Sequence, residues 1–339
     1  MTSKERIEAI LDGKLPDFIP IFPKISYSNT ISCKDMCVLD YMTKPKEMAR
    51  ACITAYRKFG WDGVSLHTDI GSEGMALGSI YERPKNNTSI LKEYLLNDIS
   101  EYGKIILPDP YNVEPMKTVI EATKIVKKTI GNEAYILAWT NAPLNIASQV
   151  LKLDELLMEL ILNPEEVHKL LSKCLDVAIE YGSALIDSGA DAIAFGHALA
   201  SSTVISRTHY EEFALPYEKK LVAALHNKGA KVFTHICGNI EPIIDLISQN
   251  GSDVIDFDYI CKIENLLNRS NKIFRGNIDP AVLAFGTEKI ICDKINELFS
   301  KSKNSNRLIL GTGCEVSLNT PEMNLINLVK YARELGKSQ

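Results

Sequence analysis

The chain moves between two hydrophobic rhythms. Short runs rich in β-branched and aromatic residues recur at 18–22, 63–67, 135–139, 192–195, 232–235, 254–257, 273–276 and 308–311. Each has the length and composition of a buried strand. Between them apolar residues return every third or fourth position, the helical period. This predicts helices over 4–11, 47–59, 164–187, 209–227, 241–249, 288–300 and 321–335. Thr2 and Glu5 are spaced as a capping box for the first helix. Asn163-Pro164 and Thr320-Pro321 place a capping side chain before a proline at the first helical position.

Eight strands mostly separated by helices predict an α/β fold with a parallel sheet. Closed on itself, that is a single (β/α)8 TIM barrel with an N-terminal helix, spanning 1–339 as one domain. An open doubly wound sheet is the alternative, weakened because no Gly-x-Gly-x-x-Gly follows the first strand. Residues 71–110 read as an inserted, irregular region with a hairpin over 76–81 and 105–107.

Composition narrows the function. The chain has 339 residues, 45% hydrophobic and 24% charged, with a formal net charge of −5. No basic run suggests nucleic acid, and no uncharged apolar stretch is long enough to span a membrane. The N-terminal residues carry mixed charge without an apolar core, so no export signal is expected. The eight cysteines are too dilute for a disulfide framework. They are expected to be reduced thiols in the cytoplasm.

The strongest chemical signal is Thr234-His235-Ile236-Cys237-Gly238-Asn239, at the end of an apolar strand. Residues i and i+2 of a strand face one side, so an imidazole and a thiol converge at the barrel mouth, where such barrels keep their active sites. Cys314, in Gly311-Thr312-Gly313-Cys314-Glu315, ends another strand on a glycine-rich turn and supplies a third donor. One His and two Cys with a fourth position open is a catalytic zinc pattern, and thiolates argue against Mg²⁺ or Ca²⁺. A His-x-Cys pair is also a common packing pair, and buried Cys is often only a small apolar residue.

Other polar residues stand at expected strand ends. Asp258 follows the 254–257 run, as a candidate support or transient fourth ligand or as a helix cap. His67 and Asn141 stand at the ends of two further strands, as substrate contacts or caps. Tyr27 and Trp139 suit pocket walls or core packing.

Several stretches carry a family resemblance. They are Glu73-Gly74-Met75-Ala76-Leu77-Gly78, Glu212-Phe213-Ala214-Leu215-Pro216-Tyr217, His235-Ile236-Cys237-Gly238-Asn239, Gly276-Asn277-Ile278-Asp279-Pro280 and Gly313-Cys314-Glu315-Val316. With them the chain resembles the uroporphyrinogen decarboxylase superfamily, in particular its zinc-dependent corrinoid methyltransferases of the methylcobalamin:coenzyme M type. The resemblance implies Zn²⁺ on His235, Cys237 and Cys314, and a corrinoid supplied by a partner protein, since no Asp-x-His-x-x-Gly cobalamin element is present. It implies methyl transfer between that corrinoid and a small-molecule thiol or methylated substrate, in either direction. Glu73 is then a candidate substrate-orienting residue. So is His197, in Phe195-Gly196-His197-Ala198, where the family often has a carboxylate. The Arg-Gln-Ala-Gly-Arg element of true decarboxylases is replaced by Phe22-Pro23-Lys24-Ile25-Ser26-Tyr27, which argues against uroporphyrinogen as substrate. The alternatives are a methionine-synthase-like homocysteine methyltransferase and a barrel with structural zinc.

Overall fold

Short strands buried on both faces organise the molecule, a computed structural model describing residues 1–302 and 306–336. The described strands are β1 (Gly63–Leu66), β2 (Ile80–Glu82), β3 (Ile90–Glu93), β4 (Tyr135–Asn141), β5 (Ala192–Gly196), β6 (Lys231–His235), β7 (Val254–Asp256), β8 (Ile273–Ile278) and β9 (Leu308–Thr312). Seven of them form one curled sheet in the order β1-β4-β5-β6-β7-β8-β9, each neighbour parallel. Helices in the connections cover its outer face, as parallel sheets require.

The expected first strand closes the ring, but in reduced form. Among the described residues its partner in a parallel bridge is Leu310, facing Ile21. The Leu310 N–H donates to the Pro20 carbonyl (2.8 Å) and the Phe22 N–H to the Leu310 carbonyl (2.7 Å). On its other side the Asp62 N–H donates to the Ile21 carbonyl (2.7 Å), just before β1. Pro20 and Pro23 have no N–H to give, so a longer ladder cannot form here. The eight-stranded closure is that of a (β/α)8 barrel.

Side chains divide by parity. Phe22, Tyr135, Leu137, Trp139, Ala192, Ala194, Phe233, Val254 and Ile309 form the inner cluster, joined by Ile7 and Ile10. The N-terminal helix Ser3–Leu11 therefore plugs the end of the barrel away from the strand C-termini. Its Thr2–Glu5 capping box is present. Ile136, Ala138, Ile193, Phe195, Val232 and Ile255 face the helices, in the larger outer cluster.

Some local expectations are corrected. The hairpin exists but pairs β2 with β3, whereas 105–107 is not a strand and Ile106 is 80% exposed. The helix Ser72–Leu77 replaces the start of the expected hairpin and ends at Gly78. Pro108 and Pro110 suit the irregular path that follows. The 209–227 helix opens with a π turn, Tyr210–Ala214, before Leu215–Asn227. The 241–249 segment shortens to a turn, Glu241–Ile243, and a helix, Ile244–Ile247. Asn163 precedes Pro164–Asp187 as expected, but its side chain donates back to Glu159 (2.6 Å) rather than capping. Thr320 caps nothing, because the last helix is Glu322–Leu335 with Pro321 at its cap.

Asp62, fully buried, ties the closure together. It accepts from Arg6 (2.6 Å), Arg333 (2.7 Å) and the Ile21 N–H (2.7 Å). These reach it from the first helix, the last helix and the closing segment. Removing one partner of a buried charge cluster typically costs about 3–5 kcal/mol. Asp62→Ala is expected to lower unfolding stability by that amount in urea titrations, and a loss under about 1 kcal/mol contradicts the role.

Candidate metal centre

β6 carries Phe233 inward, Thr234 outward and His235 inward. Two residues on, the chain presents Cys237, whose Sγ lies 3.2 Å from His235 Nε2. Gly238 follows at φ +82, a backbone that only glycine takes without strain, and this turns Cys237 over the mouth. Asp258 fixes that turn, its Oδ2 accepting the Gly238 N–H at 2.8 Å. Cys314 arrives from the end of β9. Preceding it, Gly313 passes so close to the chain after β7 that an added Cβ would sit 2.4 Å from the Tyr259 nitrogen.

The two sulfurs stand 3.9 Å apart, unbonded, and all three donor atoms lie within 4.8 Å of one another. Zinc takes sulfur at about 2.3 Å and imidazole nitrogen at about 2.0–2.1 Å. Tetrahedral angles then imply edges of about 3.8 Å for S···S and about 3.6 Å for N···S. The S···S edge of 3.9 Å and the His235–Cys237 N···S edge of 3.2 Å match within small side-chain adjustments, and the donor set suits a borderline metal. Cys314 is held below the ordinary thiol range by the Cys237 S–H, with help from His235 and Lys24, and Cys237 is raised in consequence.

Under the imidazole lies a charge pair. Asp256 Oδ2 is 3.4 Å from His235 Nδ1, and Arg275 Nε donates to Asp256 Oδ1 at 2.7 Å. Burial pushes the Asp256 carboxyl up, but Arg275 and His235 outweigh it and hold it below its ordinary value.

His67 faces the barrel interior. Its ring lies 5.8 Å from Trp139, which in turn lies 5.9 Å from His235. The Lys24 ammonium sits 4.9 Å above the same indole. Among the described residues no carboxylate comes within ion-pair distance of it. Lys24 is held there because its loop is stapled to that of Cys314: its N–H donates to Thr312 Oγ1 (3.0 Å), and the Ser26 N–H donates to Glu315 (2.7 Å). Burial raises the Glu315 carboxyl to about 7.

Glu73 and Asn141 form one unit at the end of β4. The Glu73 carboxylate accepts from Thr140 Oγ1 (2.9 Å), the Asn141 N–H (2.8 Å) and the Asn141 amide (2.5 Å). Both residues are buried. His197 is brought elsewhere. Ala192 and Ala194 point inward, so Phe195 and His197 point to the helices. The His197 Nδ1 pairs with Glu218 at 2.6 Å, and Tyr210 and Asn250 hold the second Glu218 oxygen. Its backbone N–H donates to the His235 carbonyl of β6 (2.8 Å).

Sequence reasoning missed Asp256, Arg275, Lys24 and Glu315. For the first two a signal existed: single opposite charges inside the apolar runs Val-Ile-Asp-Phe and Ile-Phe-Arg-Gly.

The family model described as uroporphyrinogen decarboxylase (URO-D) matches residues 2–335. The chain belongs to the URO-D family. Within that family it is similar to the methylcobamide:CoM methyltransferase MtbA of Methanosarcina mazei, 28% identical over 85% of this chain and 84% of the relative. It is also similar to the uroporphyrinogen decarboxylase of Carboxydothermus hydrogenoformans, 26% identical over 87% and 85%. Its fold matches the solved structure of a methyltransferase from Methanosarcina mazei, with a TM-score of 0.88, 21% identity and coverage of 98% and 99%. A B12-independent methionine synthase from Shewanella shares the fold more distantly, with a TM-score of 0.57, 12% identity and 86% coverage of each chain. Among the described residues of this URO-D chain, no helix is long and apolar enough to cross a membrane.

Burial, reinforced by Lys24 and opposed by Asp69, lowers the His67 imidazole to about 4. Its ring resonance is expected to titrate there by NMR, against about 6.5 when unperturbed. A depressed base is protonated first in the unfolded chain, so His67 adds a loss of stability as pH falls from about 6.5 towards 4. A midpoint above 6 contradicts this environment.

Proposed function

We propose that this chain is a zinc-dependent methyltransferase of the URO-D family, one barrel domain acting in the cytoplasm. It moves a methyl group between a corrinoid held by a partner protein and a small-molecule thiol. The observation that carries this reading is the convergence of His235, Cys237 and Cys314 to within 4.8 Å at the mouth of a barrel. Those three residues would hold the ion, leaving a fourth position for a substrate sulfur. Zinc so bound supplies Lewis acidity, which makes a thiol nucleophilic at neutral pH.

The remaining work falls to the chain. Asp258 holds the Cys237 turn. Trp139 and Tyr27 wall the mouth, and His67 stays neutral against the indole. Lys24, a cation without a paired carboxylate among the described residues, favours an acceptor with an anionic end and disfavours a cationic one. Glu73 and Asn141 keep the end of β4 rigid beside the substrate. Around the mouth Ile70, Val204, Tyr259 and Ile260 are exposed at 68%, 41%, 49% and 50%, an apolar rim suited to a docking protein that carries the corrinoid. Transfer toward the thiol is favoured by the activity that names the Methanosarcina relative, a methylcobamide:CoM methyltransferase.

The test mixes zinc-loaded protein with methylcobalamin and a panel of thiols that includes homocysteine, following the cobalt absorbance. Cys237→Ser and Cys314→Ser are expected to lose zinc and at least about 100-fold in transfer rate while keeping the wild-type circular dichroism. Full activity in a zinc-free variant defeats the proposal, and unfolding on chelation favours a structural metal instead. Lys24→Met is expected to raise KM about tenfold for 3-mercaptopropionate and to leave 2-mercaptoethanol unchanged, a charge contact of about 1.4 kcal/mol. Equal effects on both thiols remove Lys24 from recognition.

A further inference from the structure

Three adjacent strands place His235, Asp256 and Arg275 on one rung. His235 is the registered partner of Asp256 between β6 and β7, and Asp256 is that of Arg275 between β7 and β8. His235 and Phe233 share the inward parity of β6. All three rung side chains are buried, at 2%, 2% and 2% exposure.

We infer that this rung is a positioning device for the metal centre: Asp256 accepts a hydrogen bond from the His235 Nδ1–H and so leaves the Nε2 lone pair facing Cys237, while Arg275 locks the carboxylate. The inference rests on the zinc reading of the preceding section.

Three observations carry it. First, His235 Nδ1 is buried and has no formed hydrogen bond among the described residues. Asp256 Oδ2, at 3.4 Å, is the acceptor beside it, so a shift of a few tenths of an ångström completes the bond. Second, Asp256 is gripped at both oxygens by Arg275, Nε to Oδ1 at 2.7 Å and Nη2 to Oδ2. That fork fixes the carboxylate plane and the edge it turns to His235. Third, Arg275 is itself immobilised. Its guanidinium lies 5.0 Å from the Phe22 ring, 5.2 Å from Phe233 and 5.8 Å from Trp139. Three inner aromatic rings hold the guanidinium in place, with Nη1 unpartnered among the described residues. Its forked contact is Asp256, so its work is structural precision. A carboxylate behind a ligating imidazole fixes the tautomer and the ring angle, and its loss typically weakens metal binding 10–100-fold.

The first measurement needs no variant. Long-range ¹H–¹⁵N spectra of metal-free wild-type protein report the tautomer of His235, one of six histidines, assigned by its absence in His235→Gln. The Nδ1–H form is expected, and a dominant Nε2–H form overturns the inference whether or not zinc binds. The second measurement is zinc affinity by competition with a chromophoric chelator. Asp256→Asn is expected to bind 10–100-fold more weakly and to shift His235 towards a tautomer mixture. Arg275→Lys, which keeps the charge but not the fork, is expected to lose about tenfold in affinity. Affinities within twofold of wild type in both folded variants overturn the inference and leave the zinc reading standing. Failure of the wild type to bind zinc removes the zinc reading, while the tautomer result still decides the role of Asp256.

Discussion

The site depends on ring closure of a parallel sheet. β6 and β9 are separated by β7 and β8, so in a flat sheet, at about 4.8 Å per strand, their ends would stand about 14 Å apart. The two cysteines that follow those ends have sulfurs 3.9 Å apart. Curvature brings the strand ends towards a common axis, and the loops after them lean inward. Gly238 and Gly313 allow that lean, one through its backbone angle and one through its missing side chain. Without closure the His235–Cys237 pair would survive as a local strand feature, but the third donor would be out of reach.

Much of this was legible from the chain because it depends on local periods. The period of two places His235 and Cys237 on one side, and the glycine-rich end of β9 marks Cys314 as a residue on a turn. Strand count and helix alternation gave the barrel. The same parity, applied to Ala192-Ile193-Ala194-Phe195, also turns His197 outward, since the small residues point into the narrow interior and the large ones into the helix layer. Register is different. Nothing local says that Asp256 stands beside both His235 and Arg275, because register is set by how far each β-α unit advances around the ring. The hairpin partner was misplaced for a similar reason: Ile105 and Leu107 have strand-like residues, but pairing was decided by the nearer run at β3.

The polar residues sort by how far burial is compensated. Glu73 is enclosed but satisfied by Thr140 and Asn141, and Glu218 is satisfied in the helix layer by His197, Tyr210 and Asn250. Around the mouth the balance is looser. Among the described residues the His67 Nε2 and the His235 Nδ1 lack partners, Lys24 meets an indole face and no carboxylate, and Glu315 keeps a raised proton affinity beside Cys314. Uncompensated polar groups that share a barrel mouth with three metal-type donors suit a place where a ligand is accommodated.

The closing segment at residues 20–22 has a consequence for synthesis on the ribosome. Its partner, Leu310, emerges near the end of the chain, and Arg333, which completes the Asp62 cluster, emerges later still. Until then the growing sheet presents two open margins, one at β1 and one at the newest strand, each with unsatisfied backbone donors and acceptors. Such margins invite pairing with other nascent chains. The closing segment, with Pro20 and Pro23, offers few free amides, so once it lies beside the start of β1 that margin has little backbone left with which to pair.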